Sequence, residues 1–253
     1  MPSGASPAGV RPGDEAAASR HIREMFGRVA PRYDLLNRLL SARIDVYWRN
    51  RMVKAVRDTL ERPDARVLDV CCGTGDVALA LEQARARFCG EARRPVTASD
   101  FCRPMLTGAK PKLERGGYAS PLVEADAMRF PLPDGSVDLI TVAYGFRNLA
   151  NYDGGLEELA RLLAPGGRLA ILEFSQPTNR LWGPLFEWYF RNVLPRIGNA
   201  VSGAGDAYSY LQRSVEKFLS PEELCDAMRR AGFSEARYES LTGGISCLHV
   251  GRK

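Results

Sequence analysis

Asp69, Gly73, Thr74, Gly75 and Asp76 stand in the run Val67-Leu68-Asp69-Val70-Cys71-Cys72-Gly73-Thr74-Gly75-Asp76, where an apolar stretch ends on a carboxylate and turns through Gly-Thr-Gly. The pattern predicts a buried parallel strand, a nucleotide-hugging turn and the first turn of a helix. Glycines at 73 and 75 let the backbone approach a ligand more closely than any Cβ would allow. With Val77-Ala78 the turn also fits the loose dinucleotide fingerprint G-x-G-x-x-[GA], a weak signal on its own. Asp69 argues against that ligand, because a pyrophosphate is normally held by bare amides at a helix start and a carboxylate there would repel it. The same carboxylate suits a ligand carrying an ammonium or sulfonium group. Asp100 closes the later run Val96-Thr97-Ala98-Ser99, where an acid can accept both hydroxyls of a ribose; dinucleotide enzymes use that position too.

The elements that must position these residues follow from hydrophobic periodicity. Ile22, Met25, Phe26 and Val29 recur at helical spacing until Pro31, a second helical stretch covers Tyr33 to Leu40, and Trp48, Met52, Val56 and Leu60 signal a third that ends near Pro63. Together they predict a helical cap over residues 20–63. Beyond it, strand-like runs at Arg66–Val70, Pro95–Ser99, Pro121–Glu124, Ser136–Val142 and Arg168–Phe174 alternate with helical patterns at Asp76–Phe88, Met105–Lys112 and Leu156–Leu163. This alternation implies right-handed crossovers and a parallel sheet, with Pro165-Gly166-Gly167 stopping the last of these helices. An aromatic insertion spans residues 176–214, with Trp182, Leu185, Phe186, Tyr189 and Val193 on one helical face. Ser220 caps a helix over Pro221–Ala231 that Gly232 ends. Ala236–Leu241, the turn Thr242-Gly243-Gly244 and Ile245–Gly251 form a hairpin, so one edge of the sheet is antiparallel.

Composition bounds the class. The 253 residues, 45% hydrophobic and 26% charged, suit one α/β domain, expected over residues 20–253 after a disordered tail at 1–19. That tail lacks the apolar centre of a signal peptide, and no apolar run approaches the roughly 20 residues a membrane helix needs. A net charge of +5 with scattered Lys and Arg predicts a solvated positive surface, compatible with anionic headgroups, and no nucleic-acid partner. Six cysteines without a Cys-x-x-Cys pair, and only two histidines, His21 and His249, predict reduced thiols, no metal site and a cytoplasmic protein.

The glycine turn with its carboxylate, Asp100 and the closing hairpin together resemble the class I S-adenosylmethionine-dependent methyltransferases. The resemblance implies a Rossmann-like seven-stranded α/β sheet with the last strand antiparallel. It extends further, to Phe26-Gly27-Arg28-Val29-Ala30-Pro31-Arg32-Tyr33-Asp34-Leu35-Leu36-Asn37, Gly145-Phe146-Arg147-Asn148, Leu172-Glu173-Phe174-Ser175 and Leu194-Pro195-Arg196-Ile197-Gly198. With the glycine-turn run, these are similar to the menaquinone/ubiquinone biosynthesis C-methyltransferases from about His21 to the C-terminus.

The resemblance implies S-adenosylmethionine as cofactor. Gly73, Thr74 and Gly75 would lie on its methionyl part, Asp69 near the ammonium, Asp100 on the ribose, and Asp126 and Ala127 beside the adenine. Ala143 stands where the family often carries a serine, so only its backbone could serve. Cys71 stands where the wider class places a glycine. The substrate implied is a prenylated quinol, demethylmenaquinol foremost and the ubiquinol precursor beside it. Methyl transfer to its ring needs a group that stabilises the developing oxyanion. Arg147 is expected to polarise the quinol oxygen or a water, with Asn148 orienting it and Tyr33 as a second hydroxyl ligand or proton acceptor. A structural salt bridge from Arg147 to Glu173, and core packing of Tyr33, are the competing readings. The insertion would receive the prenyl tail or touch the bilayer, giving transient, peripheral contact at the inner face of the cell membrane. Pairing into a homodimer is a further partner left open. The rival functions are a methyltransferase for another small or lipid substrate, a nicotinamide oxidoreductase, and a cofactor-binding scaffold that does not turn over.

Overall fold

A computed structural model describes residues 14–34, 43–176 and 205–253. The segment read as a second cap helix falls almost wholly outside these residues, as do the expected tail up to residue 13 and the insertion from 177 to 204.

The first helix, α1 (Glu15–Val29), buries Ile22, Met25 and Val29 and passes into a 3-10 turn at Ala30–Arg32, with Pro31 inside it. It begins earlier than expected: residues 15–19, read as tail, are its first turns. Alanines at 16, 17 and 18 are the strongest helix formers and lose no side-chain freedom, which favours the extension. The third expected cap helix is two: α2 (Ile44–Ala55) and α3 (Arg57–Leu60), broken at Val56 with φ −111° and ψ 15°. The break turns the chain so that the carbonyls of Leu60, Arg62, Pro63 and Ala65, with that of Arg94, all accept from the fully buried Arg85 guanidinium.

β1 (Val67–Val70) is buried on both faces, as a central parallel strand must be. It leads into α4 (Asp76–Cys89), β2 (Thr97–Asp100), α5 (Arg103–Arg115) and β3 (Leu122–Glu124). β4 (Val137–Ala143), a 3-10 turn at Phe146–Asn148, α6 (Tyr152–Leu162) and β5 (Leu163–Phe174) follow. Pro165-Gly166-Gly167 ends no helix. It lies inside the irregular start of β5, where Gly166 donates its N–H to Lys253 and Gly167 accepts from it, so the ladder continues through the turn residues. α7 (Gly205–Glu216) and α8 (Pro221–Arg230) precede the hairpin β6 (Ser234–Leu241) and β7 (Ser246–Arg252). α8 carries the expected Ser220 cap as a capping box with Glu223.

The strand order is β3-β2-β1-β4-β5-β7-β6, with β7 antiparallel to both neighbours and the other pairings parallel. The chain runs outward from β1 to β3 and then returns to β4, so a crevice opens between the C-terminal ends of β1 and β4. Open α/β sheets bind ligands at such a switch point. Alternation splits the core: Leu68, Val70, Ile140 and Val142 pack with α6 and α8, while Val67 and Leu139 pack with α2 and α4. At the base of β1, Asp138 accepts from the Arg66 N–H at 2.8 Å and from its guanidinium at 2.9 Å.

Candidate active site

Four strand ends build one cleft of about 690 Å³ including its open mouth, within the range of small-molecule sites. Cys71 and Gly73 come from the turn after β1, and Asp100 and Phe101 from the end of β2. Asp126 and Ala127 follow β3, and Ala143, Tyr144, Gly145 and Asn148 follow β4. Ser19, Phe26 and Tyr33 of the N-terminal segment complete the wall. Of the residues expected from sequence, Tyr33, Gly73, Asp100, Asp126, Ala127, Ala143 and Asn148 therefore meet in one place. Asp69, Thr74, Gly75 and Arg147 lie behind the lining.

Register explains Asp69. It stands directly opposite Thr141 on β4, on the face covered by α4, and its Oδ1 accepts from the Thr141 hydroxyl at 2.6 Å. Oδ2 is buried without a partner, and burial pushes the carboxyl pKa up to about 7. Asp100 is better supplied: its oxygens accept from Gly73 N and Cys102 N, each at 2.9 Å, which ties the glycine turn to β2. Burial still raises its pKa. Each carboxylate oxygen has two lone pairs, so Asp100 keeps acceptor capacity toward the cleft. Asp126 Oδ1 accepts from Met128 N at 2.9 Å. The Cys71 thiol lines the floor, and its pKa is driven well up by burial and then by Asp100, Asp69, Glu173 and Asp126. The floor thus carries negative potential, the reverse of a pyrophosphate cradle.

Gly75 serves the scaffold. Its φ is +82°, and a β-carbon there would lie 3.0 Å from Ala109 Cβ on α5, so the turn needs glycine to seat α4 against α5 as well as for any ligand. Gly145 and Cys71 are complementary in the same sense. A β-carbon on Gly145 would sit 2.3 Å from Cys71 Cβ, and Cys71 itself holds a φ of 55°. Cysteine in the left-handed region costs about 1–2 kcal/mol relative to an unstrained residue. Gly145→Ala is therefore expected to destabilise the fold, and adding Cys71→Gly to recover most of the loss. Urea unfolding of the two variants measures both steps, and an equal loss in single and double variants would refute the contact.

Arg147 forms the salt bridge to Glu173 that competes with its catalytic reading. Its Nη1 meets Glu173 Oε1 at 2.5 Å and Tyr144 O at 2.7 Å, its backbone N–H donates to Glu173 Oε2 at 3.2 Å, and both residues are buried. Burial opposes the guanidinium charge, but Glu173, Tyr210 and Tyr33 outweigh it and hold the pKa above its usual value. The pair clamps the turn after β4, where Tyr144 has a φ of 57°. Asn148 stands on that turn, and its Oδ1 accepts from Tyr210 of α7 at 3.0 Å. Tyr33 packs edge-on to Phe26, and its Cε1 is 3.8 Å from where a Gly73 β-carbon would be. Tyr144 and Tyr210 carry no motif or spacing that would single them out in the sequence.

A negative floor at the switch point, an acid at the β2 end placed for a ribose, a buried carboxylate beneath the glycine turn with one oxygen unsatisfied among the described residues, and a reversed β7 fit a nucleoside carrying a cationic sulfur. Fold and site define a class I S-adenosylmethionine-dependent methyltransferase. Solved methyltransferases share the fold: one from Thermotoga maritima aligns over 91% of this chain and 99% of its own at TM-score 0.61 and 20% identity, and one from Aquifex aeolicus over 79% and 88% at 0.56 and 22%. The chain belongs to the ubiE/COQ5 methyltransferase family, whose profile matches residues 14–253. It is 48% identical to the demethylmenaquinone methyltransferase of Thermus thermophilus, across 90% of this chain and 99% of that one. It is 43% identical to the ubiquinone/menaquinone biosynthesis C-methyltransferase UbiE of Syntrophotalea carbinolica, across 95% of each.

Proposed function

We propose that this methyltransferase methylates a ring carbon of a prenylated quinol, with demethylmenaquinol as the preferred acceptor. The observation that carries the reading is the near full-length identity to a demethylmenaquinone methyltransferase, at 48%. Bound S-adenosylmethionine supplies an electrophilic methyl group on sulfur. Asp100 would hold the ribose, Asp126 and Ala127 the adenine, and the field of Asp69 the cationic end. Thr74 and Gly75 shape the turn from behind, while Gly73 and the Ala143 backbone face the ligand. On the acceptor side Tyr33 and Asn148 line the same cleft. A hydrogen bond accepted by either from a quinol hydroxyl would push charge onto the adjacent carbon and hold it in line with the methyl group. Arg147 acts here as a positioning residue, fixing the turn that presents Asn148.

No described helix is long and apolar enough to cross a membrane. A prenylated acceptor resides in the bilayer, so the protein would meet it at the membrane surface. The test is direct. Purified protein with methyl-labelled S-adenosylmethionine is expected to transfer label to demethylmenaquinol in liposomes, and more slowly to the ubiquinol precursor. Absence of label in both lipids, from protein that still binds S-adenosylhomocysteine, would remove the quinol reading and leave the methyl-donor site standing.

A further inference from the structure

Tyr33 reaches the cleft from a segment whose next residue, Asp34, is tied to the glycine turn by a compact set of charges. Thr74 Oγ1 donates to Asp34 Oδ1 at 2.5 Å. Lys112, in the last turn of α5, places Nζ 2.8 Å from Asp34 Oδ2, 2.5 Å from Asp76 Oδ1 and 3.2 Å from Thr74 Oγ1. An ammonium has three donors, and these acceptors match them. Asp76, the first residue of α4, also meets Arg49 of α2 at 3.4 Å, and Arg49 pairs with Asp45 at 2.5 Å. The set therefore joins the N-terminal segment, the glycine turn, α5 and α2.

Exposed ion pairs contribute little because water already solvates both partners. The Lys112 side chain is only 12% exposed, and removing it takes away the cation that bridges Asp34 and Asp76. The backbone is shaped for the contact as well. Gly108, one helical turn before Lys112, has Thr74 Cγ2 3.3 Å from its Cβ position, so α5 lies close against the turn there and a larger residue would press on Thr74.

We propose that Lys112 is a positioning residue for the methyl-donor site. Its ammonium pins Asp34, and through it Tyr33, over the glycine turn, and so sets how long the N-terminal wall stays closed over bound ligand. Ser19 and Phe26 of the same segment line the cleft beside Tyr33. The inference concerns the donor half of the site and does not depend on the acceptor.

The measurement is the dissociation rate of S-adenosylhomocysteine from the full chain by stopped-flow fluorescence, at low and high sodium chloride. Lys112→Met is expected to release the ligand about tenfold faster than the unaltered protein, while its melting temperature moves by only a few degrees. Salt should accelerate release from the unaltered protein and have little effect on the variant. Lys112→Arg, which keeps the charge, should restore most of the slow release. Asp34→Asn should reproduce the Lys112→Met rate, and the double variant should be no faster than either. Asp34→Asn alone carries the test if Lys112→Met fails to fold. Unchanged release rates and salt dependence in both single variants would overturn the proposal, as would single effects that multiply in the double variant.

Discussion

Replacing Glu173 with alanine is expected to lower stability by about 3–5 kcal/mol, because it leaves a buried guanidinium without its counter-ion. Glu173 is 1% exposed and Arg147 5%, so water cannot replace the lost partner. For a chain of this size that is a fall in melting temperature of about 10 °C or more. Arg147→Ala should cost as much from the other side of the pair, and it also removes the donor to Tyr144 O. The combined variant Arg147→Met with Glu173→Leu should be far less damaged than either alanine variant, since no charge is then left buried. Thermal unfolding of the three separates this reading from the catalytic one. If Arg147 polarised the acceptor directly, Arg147→Ala would keep its melting temperature and cofactor affinity and lose only turnover. A positioning role predicts that stability falls along with turnover, and that Arg147→Lys, which retains the charge, recovers part of both.

The second large effect is on pH. The Asp69 carboxyl titrates at about 7 in the folded protein, against about 3.9 in an unfolded chain. Between those values the folded state holds a proton that the unfolded state has lost, so unfolding stability declines as pH rises. The decline is complete above the folded pKa. Three units amount to about 4 kcal/mol, at most, from this one group. Asp100 shifts in the same direction for the same reason, so Asp69→Asn should flatten the slope and leave a smaller one. Urea titrations of the ligand-free protein from pH 5 to pH 8 measure it, and a stability rising over that interval would contradict the buried-acid picture. Ligand binding should run the opposite way. A cationic ligand favours the ionised carboxylate, so affinity for S-adenosylmethionine should tighten as pH rises toward neutrality, with a weaker trend in Asp69→Asn.

Much of this was legible in the sequence because it rests on local pattern. The run from Val67 to Asp76 shows its strand, turn and helix in order, and the Ser220-Pro221 start of α8 and the Thr242-Gly243-Gly244 hairpin follow from residue types that admit few backbone conformations. Of the seven expected site residues that meet in the cleft, six sit at or just past a strand end, where the switch point gathers them, and Tyr33 comes from the N-terminal segment. The misses come from interactions with no sequence period. Val56 breaks a helix without proline or glycine, and Gly166 is taken up in a ladder with the far end of the chain. Arg147 sits in a conspicuous motif that leaves open whether it bridges to Glu173, and only the fold brings the two together. Lys112 reads as an ordinary helix-terminal lysine until the fold brings Asp34 and Thr74 to it.

The buried Arg85 guanidinium faces five backbone carbonyls and forms no ion pair with a carboxylate among the described residues. Burial lowers its pKa, yet an arginine stays protonated throughout the range in which proteins are handled. The joint between the cap and β1 is therefore held by a charge that no ordinary change of acidity can switch off. Asp69 beneath the cleft, by contrast, has its pKa pushed up to about 7, and Asp100 shifts in the same direction. Acidity thus acts on this protein selectively: it alters the ligand's binding field while the cap remains fastened in place.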